Sequence, residues 1–122
     1  MKNFLIIPLG GLGKRFVESG YKTYKPFLKI SKNLRVIDSI ANNFPKKDTQ
    51  IIIIGNQKKY KDIVSNFKRK NTFFLKIKNH KSGPLYSLFL FKKKLKKIIK
   101  DNNFFIAYSD INWRWDFKSV KK

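Results

Sequence analysis

Apolar runs alternate with amphipathic stretches along the chain, and the pattern predicts strands and helices in turn. Phe4-Leu5-Ile6-Ile7-Pro8-Leu9 reads as a buried strand that runs into a glycine-rich loop. Phe27 to Ile30, after Pro26, suits a short extended segment. Arg35 to Phe44 sets Val36, Ile37, Ile40, Ala41 and Phe44 at helical spacing. Gln50 to Gly55 holds four consecutive isoleucines and reads as a second buried strand ending in a Gly-Asn turn. Lys58 to Arg69 predicts a basic helix with Tyr60, Ile63, Val64 and Phe67 on one face, and Thr72 to Ile77 a third strand. From Pro84 to Ile99 one helix is expected. Its stripe is Leu85, Leu88, Phe89, Phe91, Leu95, Ile98 and Ile99, and its lysines lie opposite. Pro84 suits the first turn of a helix, where a missing N–H costs nothing. Phe104 to Tyr108 is a fourth strand, ending at Ser109-Asp110.

Strands without polar alternation, separated by helices, imply a parallel sheet covered on both faces. The expected fold is therefore α/β, a Rossmann-like three-layer α/β/α unit with a mainly parallel sheet. In such sheets ligands bind beyond the carboxyl ends of the strands. The loop at Gly10, the turn at Gly55 and Asp110 all fall at those ends. No internal repeat or linker interrupts the 122 residues, which suit one domain. Trp113 to Lys122 is too short for the additional strands such a fold uses, so the domain reads as incomplete at its C-terminal side.

Composition narrows the class. Hydrophobic residues make up 42% and aromatic residues 16%, which argues against disorder. There is no apolar run of about 18 residues and no signal-peptide pattern, so a cytoplasmic protein without a membrane partner is expected. The absence of cysteine excludes disulfides and thiolate metal sites. A net charge of +22 can mark a nucleic-acid binder. Of the 29 basic residues, however, only four are Arg, and the Lys residues are spread over the whole chain. Lys, Asn, Ile, Phe and Tyr also share A/T-rich codons, so genome composition accounts for much of the excess. A general pull on anionic ligands follows in either case.

The loop from Pro8 to Phe16 is the most informative stretch. Its glycines allow close backbone approach, and successive N–H groups can form an anion-binding concavity. A Walker A loop would need Gly where Pro8 stands and Ser or Thr where Arg15 stands. A dinucleotide fingerprint starting at Gly11 would need a small residue where Phe16 stands. Neither pattern fits, and the alternative for an isolated Gly-Gly-x-Gly is a flexible strand-to-helix turn.

A wider constellation adds to it. Gly10-Gly11-Leu12-Gly13-Lys14-Arg15-Phe16, then Ser19-Gly20-Tyr21, then Lys25-Pro26, resembles in order and spacing the opening of the sugar-phosphate nucleotidyltransferases. The resemblance implies a nucleotide-diphospho-sugar transferase-like fold, of which this chain would be the N-terminal part. It implies that the backbone at Leu9, Gly10, Gly11 and Gly13 wraps a nucleoside triphosphate. It makes Arg15 and Lys25 the catalytic cations, Arg15 gripping phosphate oxygens with its planar fork and Lys25 offsetting charge near the α-phosphate. Lys81 to Leu88 resembles the family's turn before a helix, in which Ser82 and Gly83 would contact the nucleobase; an ordinary helix cap would look the same. Phe104 to Asp110 resembles the strand whose terminal acid holds a metal, so Asp110 would bind Mg²⁺. An Asp that merely starts a turn is the alternative.

The implied reaction is attack by a sugar phosphate on the α-phosphorus of a nucleoside triphosphate, with release of pyrophosphate, as in nucleotide-sugar biosynthesis. Two positions depart from the family pattern: Lys14 replaces a small hydroxyl residue, and Tyr24 replaces a frequent Pro. The family's second metal-binding carboxylate comes from later sequence. Three alternatives follow. They are a non-catalytic nucleotide-binding or regulatory fragment, a subunit completed by another chain or by further copies of itself, and a basic nucleic-acid-binding protein. The aromatic residues are expected at core-facing positions, which disfavours the last. His80, the lone histidine, is read as a surface residue. Trp113 and Trp115, flanking Arg114, suggest packing rather than a cofactor role.

Overall fold

The computed structural model describes residues 2–11 and 18–109. Its main sheet has four parallel strands: β1 (Asn3–Leu9), β4 (Thr49–Asn56), β5 (Thr72–Ile77) and β6 (Asn103–Ile106). Their spatial order is β5-β4-β1-β6. A small antiparallel pair, β2 (Lys29–Ser31) with β3 (Leu34–Arg35), follows a 3₁₀ turn at Lys25–Phe27. The helices are α1 (Val36–Asn42), α2 (Tyr60–Asn66), α3 (Pro84–Leu90) and α4 (Lys92–Ile99).

The unbroken apolar runs are explained by burial on both faces. On one face Leu5, Ile7, Leu9, Ile51 and Ile53 pack with Ile37, Ile40 and Ala41 of α1 and Ile63 of α2. On the other, Phe4, Ile6, Ile52 and Ile54 pack with Leu75, Ile77, and Leu95 and Ile99 of α4. The four isoleucines of β4 are fully buried, and each contributes roughly 1.5–3 kcal/mol relative to exposure. The chain is therefore an α/β/α sandwich, as the pattern required.

Two of the arginines are tied into this frame. Arg35 pairs with Asp38 at 2.7 Å and donates to the Asn66 carbonyl, linking α1 to the end of α2. Arg69 donates to the carbonyls of Ala41 and Phe44, at the end of α1.

Several expectations are corrected. The single helix over Pro84 to Ile99 is two, parted at Phe91, where φ is −98° and ψ is 9°. The Phe91 N–H still reaches the Ser87 carbonyl, but at a stretched 3.4 Å, while its ring packs into the core below. Leu85 and Phe89 are exposed rather than core-facing. Leu88 of the expected stripe does pack against the core, and Ser87, outside that stripe, is buried beside it. The helix expected over Lys58 to Arg69 ends at Asn66, because Phe67 turns extended, and Val64 is exposed. Phe73 and Phe104 are also exposed, because they stand on the two outer strands. Among the described residues no helix is long and apolar enough to cross a membrane.

Candidate nucleotide-binding site

The chain adds β4 and β5 on one side of β1 and then returns to place β6 on the other. This reversal opens a crevice at the carboxyl ends of β1 and β6, the place where open α/β sheets bind ligands. A cavity of about 510 Å³ lies there. Leu9, Gly10 and Gly11 come to it from β1, and Tyr108 and Ser109 from the end of β6. Tyr24, Lys25 and Pro26 form another wall, and His80, Lys81, Gly83, Pro84 and Ser87 close it from above α3. The charged groups among these residues are two lysines, with no carboxylate, so the described walls favour an anion.

Local chemistry explains why these segments meet. Gly10 is buried, and a Cβ there would lie 2.8 Å from Ser87 Oγ and 3.2 Å from His80 Nε2. A side chain at Gly10 would push against both members of the His80–Ser87 hydrogen bond. Gly83 precedes α3 with φ of 81°, in the left-handed region that favours glycine, and Pro84 occupies the first turn.

Asn56, fully buried at the end of β4, satisfies its amide within the fold. Its Nδ2 donates to the Gly10 carbonyl at 2.8 Å and to Asn79 Oδ1 at 3.2 Å, while its Oδ1 accepts from the Lys58 N–H at 2.9 Å. One side chain thus joins the ends of β1, β4 and β5. Tyr24 reaches the same loop from the opposite wall. Its hydroxyl donates to the Gly11 carbonyl at 2.8 Å, with the Leu9 carbonyl at 3.3 Å sharing the proton. The ring sits edge-on to Phe27, with Lys59 Nζ 5.6 Å from its centroid.

Burial pushes the Tyr24 hydroxyl up to about 12, so it stays a donor across the neutral range. The folded chain then keeps a proton that the unfolded chain gives up from about pH 10. Stability from this group is complete below about pH 10 and is lost as pH rises toward about 12. Thermal melts of the parent chain and Tyr24→Phe across that window should differ in slope, the variant falling less steeply. Parallel slopes would contradict the buried hydroxyl.

His80 is half-buried and lines the cavity, which corrects its reading as a surface residue. Its Nδ1 accepts the Ser82 N–H at 3.2 Å, so the neutral ring carries its proton on Nε2 and donates it to Ser87 Oγ, 2.9 Å away. Tyr86 packs edge-on against the ring at 4.8 Å between centroids. The histidine is drawn in by Ser87, seven residues further along, and by Tyr86, a relation that needs the folded turn at Gly83.

Of the residues singled out in the sequence, Leu9, Gly10, Gly11, Lys25 and Gly83 are brought to one cavity. Ser82 is not among its lining residues, is exposed, and turns its N–H to His80. It is not the cap of α3 either; Gly83 is. Gly13, Arg15 and Asp110 lie outside the described residues. Tyr24, Asn56, Asn79 and Ser87 were not singled out, and only Tyr24 had a signal, as the residue where Pro is frequent. Among the described residues no cluster of three or more His, Asp or Glu could hold a metal. With no carboxylate in the cavity wall either, the described residues do not by themselves fit Mg²⁺, which takes oxygen ligands.

No protein-family model matches the sequence, and no curated protein matches it. Solved structures do match the fold. A nucleoside-diphosphate-sugar pyrophosphorylase from Vibrio cholerae RC9 superposes with a TM-score of 0.66 at 18% identity, over 96% of this chain and 52% of its own. A Mycobacterium tuberculosis H37Rv protein gives 0.60 at 11% identity, over 90% and 53%. A UDP-glucose pyrophosphorylase, solved with UDP-glucose, gives 0.54 at 15% identity, over 90% and 46%. The chain has the nucleotide-sugar pyrophosphorylase fold in part and spans about half the length of these structures.

Proposed function

We propose that the cavity binds the polyphosphate of a nucleoside triphosphate and that the chain is a nucleotidyltransferase domain of nucleotide-sugar biosynthesis. It would transfer a nucleoside monophosphate to a sugar phosphate and release pyrophosphate. One observation carries the reading. Gly10, Gly11 and Lys25 line one cavity at the topological switch of a sheet shared with sugar pyrophosphorylases, and Lys81 is its second cation.

In this reading the Leu9–Gly13 backbone cradles the phosphates, and Arg15 and Lys25 offset charge that grows during displacement. Gly83 and Ser82 stand toward the nucleobase, where Ser82 would have to turn inward. Mg²⁺ accompanying the triphosphate would supply charge neutralisation. Asp110 is assigned to it because it follows Ser109, which lines the cavity. The chain itself would act by positioning two anions against each other.

A second reading is a nucleotide-binding module without turnover, favoured by the described lining residues, which bring two lysines and no carboxylate to the cavity. Pyrophosphate release over a panel of triphosphates and sugar phosphates separates the two. Both predict Mg²⁺-dependent triphosphate binding, weakened about tenfold or more by Arg15→Ala, which removes charge-assisted hydrogen bonds, or by Asp110→Ala, which removes a metal ligand. If neither substitution weakens binding, the site assignment is wrong. A nucleic-acid platform finds little support, because helices cover both sheet faces and the exposed Phe73 and Phe104 stand on opposite outer strands.

A further inference from the structure

Three consecutive carbonyl oxygens at the end of β1 are occupied by side chains from other segments. The Leu9 and Gly11 carbonyls accept from Tyr24, and the Gly10 carbonyl between them accepts from Asn56. A trans peptide holds its C=O and the following N–H in one rigid plane, pointing in opposite directions, and the described chain has no cis bond. Pinning the Leu9 carbonyl therefore sets the direction of the Gly10 N–H, and pinning the Gly10 carbonyl sets that of Gly11. Glycines would otherwise let these planes rotate and turn carbonyl lone pairs toward a bound anion, which would repel it.

We propose that Tyr24 and Asn56 are positioning residues for a phosphate-bearing ligand: they clasp the Leu9–Gly11 backbone from two sides, so that amides rather than carbonyls meet the anion. The proposal rests on the nucleotide reading above and adds residues to it. The Tyr24 half departs from the family pattern, since the Pro frequent at that position carries no donor. The two clasps differ in depth. Asn56 is buried among strand ends and also holds β4 and β5 in place, whereas Tyr24 binds only the loop through its hydroxyl.

Tyr24→Phe is the sharper test, because it keeps the ring against Phe27 and removes only the hydroxyl. Inorganic pyrophosphate is the probe, titrated in enough salt to screen scattered surface lysines. The variant is expected to bind it roughly 3- to 10-fold more weakly, the worth of one hydrogen bond, with its neutral-pH melting temperature little changed. In parallel, ¹H–¹⁵N spectra of the ligand-free chain should show the Gly10 amide, which shares a peptide plane with the Leu9 carbonyl, shifted and exchanging faster with solvent. Equal pyrophosphate affinity in both chains overturns the positioning role. An unmoved Gly10 amide overturns the clasp itself. If pyrophosphate fails to bind even the parent chain, the nucleotide reading falls and takes the phosphate role with it, and the amide signals still decide whether Tyr24 holds the loop.

Discussion

Replacing Gly10 with alanine is expected to weaken triphosphate binding on the order of a hundredfold while Gly11→Ala leaves the fold intact. The two neighbours differ in what a methyl group meets. At Gly10 the new Cβ would lie 2.8 Å from Ser87 Oγ and 3.2 Å from His80 Nε2, while at Gly11 nothing lies within 4 Å. Relief at Gly10 requires either that Ser87 give up its hydrogen bond to His80 inside a buried site or that α3 lift away from β1. An unsatisfied buried hydroxyl costs about 1–3 kcal/mol, and overpacking a filled site costs a similar amount. Either movement displaces the loop and the His80 wall of the cavity together. Where binding needs α3 seated on β1, a penalty of about 1–3 kcal/mol on that seated state lowers the apparent affinity by roughly 5- to 150-fold. Parallel titrations and melts of the two variants test this. Wild-type affinity in Gly10→Ala would show that the α3 approach to β1 does not shape the binding surface.

Asn56→Leu should have the largest effect on stability, a loss of about 3 kcal/mol and a fall in melting temperature on the order of 10 °C. Leucine fits the volume but offers no polar atom. The buried Gly10 carbonyl loses its donor, the Lys58 N–H loses its acceptor, and Asn79 loses its partner. Buried polar groups left unpaired in such a network cost more than each bond contributed. Asn79→Ala, at an exposed residue and removing only one of these contacts, should cost under about 1 kcal/mol. Urea or thermal denaturation of both variants checks the ranking. Similar stability for the two would mean that the packing of β1, β4 and β5 holds the strand ends without Asn56.

Much of the fold was legible because burial on both sheet faces leaves a continuous apolar signature. The four isoleucines of β4 and the run in β1 could hardly sit anywhere but a central strand. The outer strands and helices were less so. Phe104 and Phe89 look like core residues in the sequence and are exposed, because apolar character says what can be buried and not which flank of an element finds a neighbour. The break at Phe91 had no Gly or Pro to announce it.

The candidate site divides along the same line. Short-range sequence by itself determined the strand–loop opening, the glycines at Gly10 and Gly83, and Lys25-Pro26 at its distance from the loop, because these depend on local backbone freedom and spacing. Tertiary structure alone decided that Asn56, Tyr24 and the His80–Ser87 pair converge on the loop. Asn56 lies 46 residues from the carbonyl it holds and Tyr24 13 from its own. A hydrogen bond is made by direction and distance in space, and an Asn or a Tyr reads the same in the sequence whether it faces water or a backbone carbonyl.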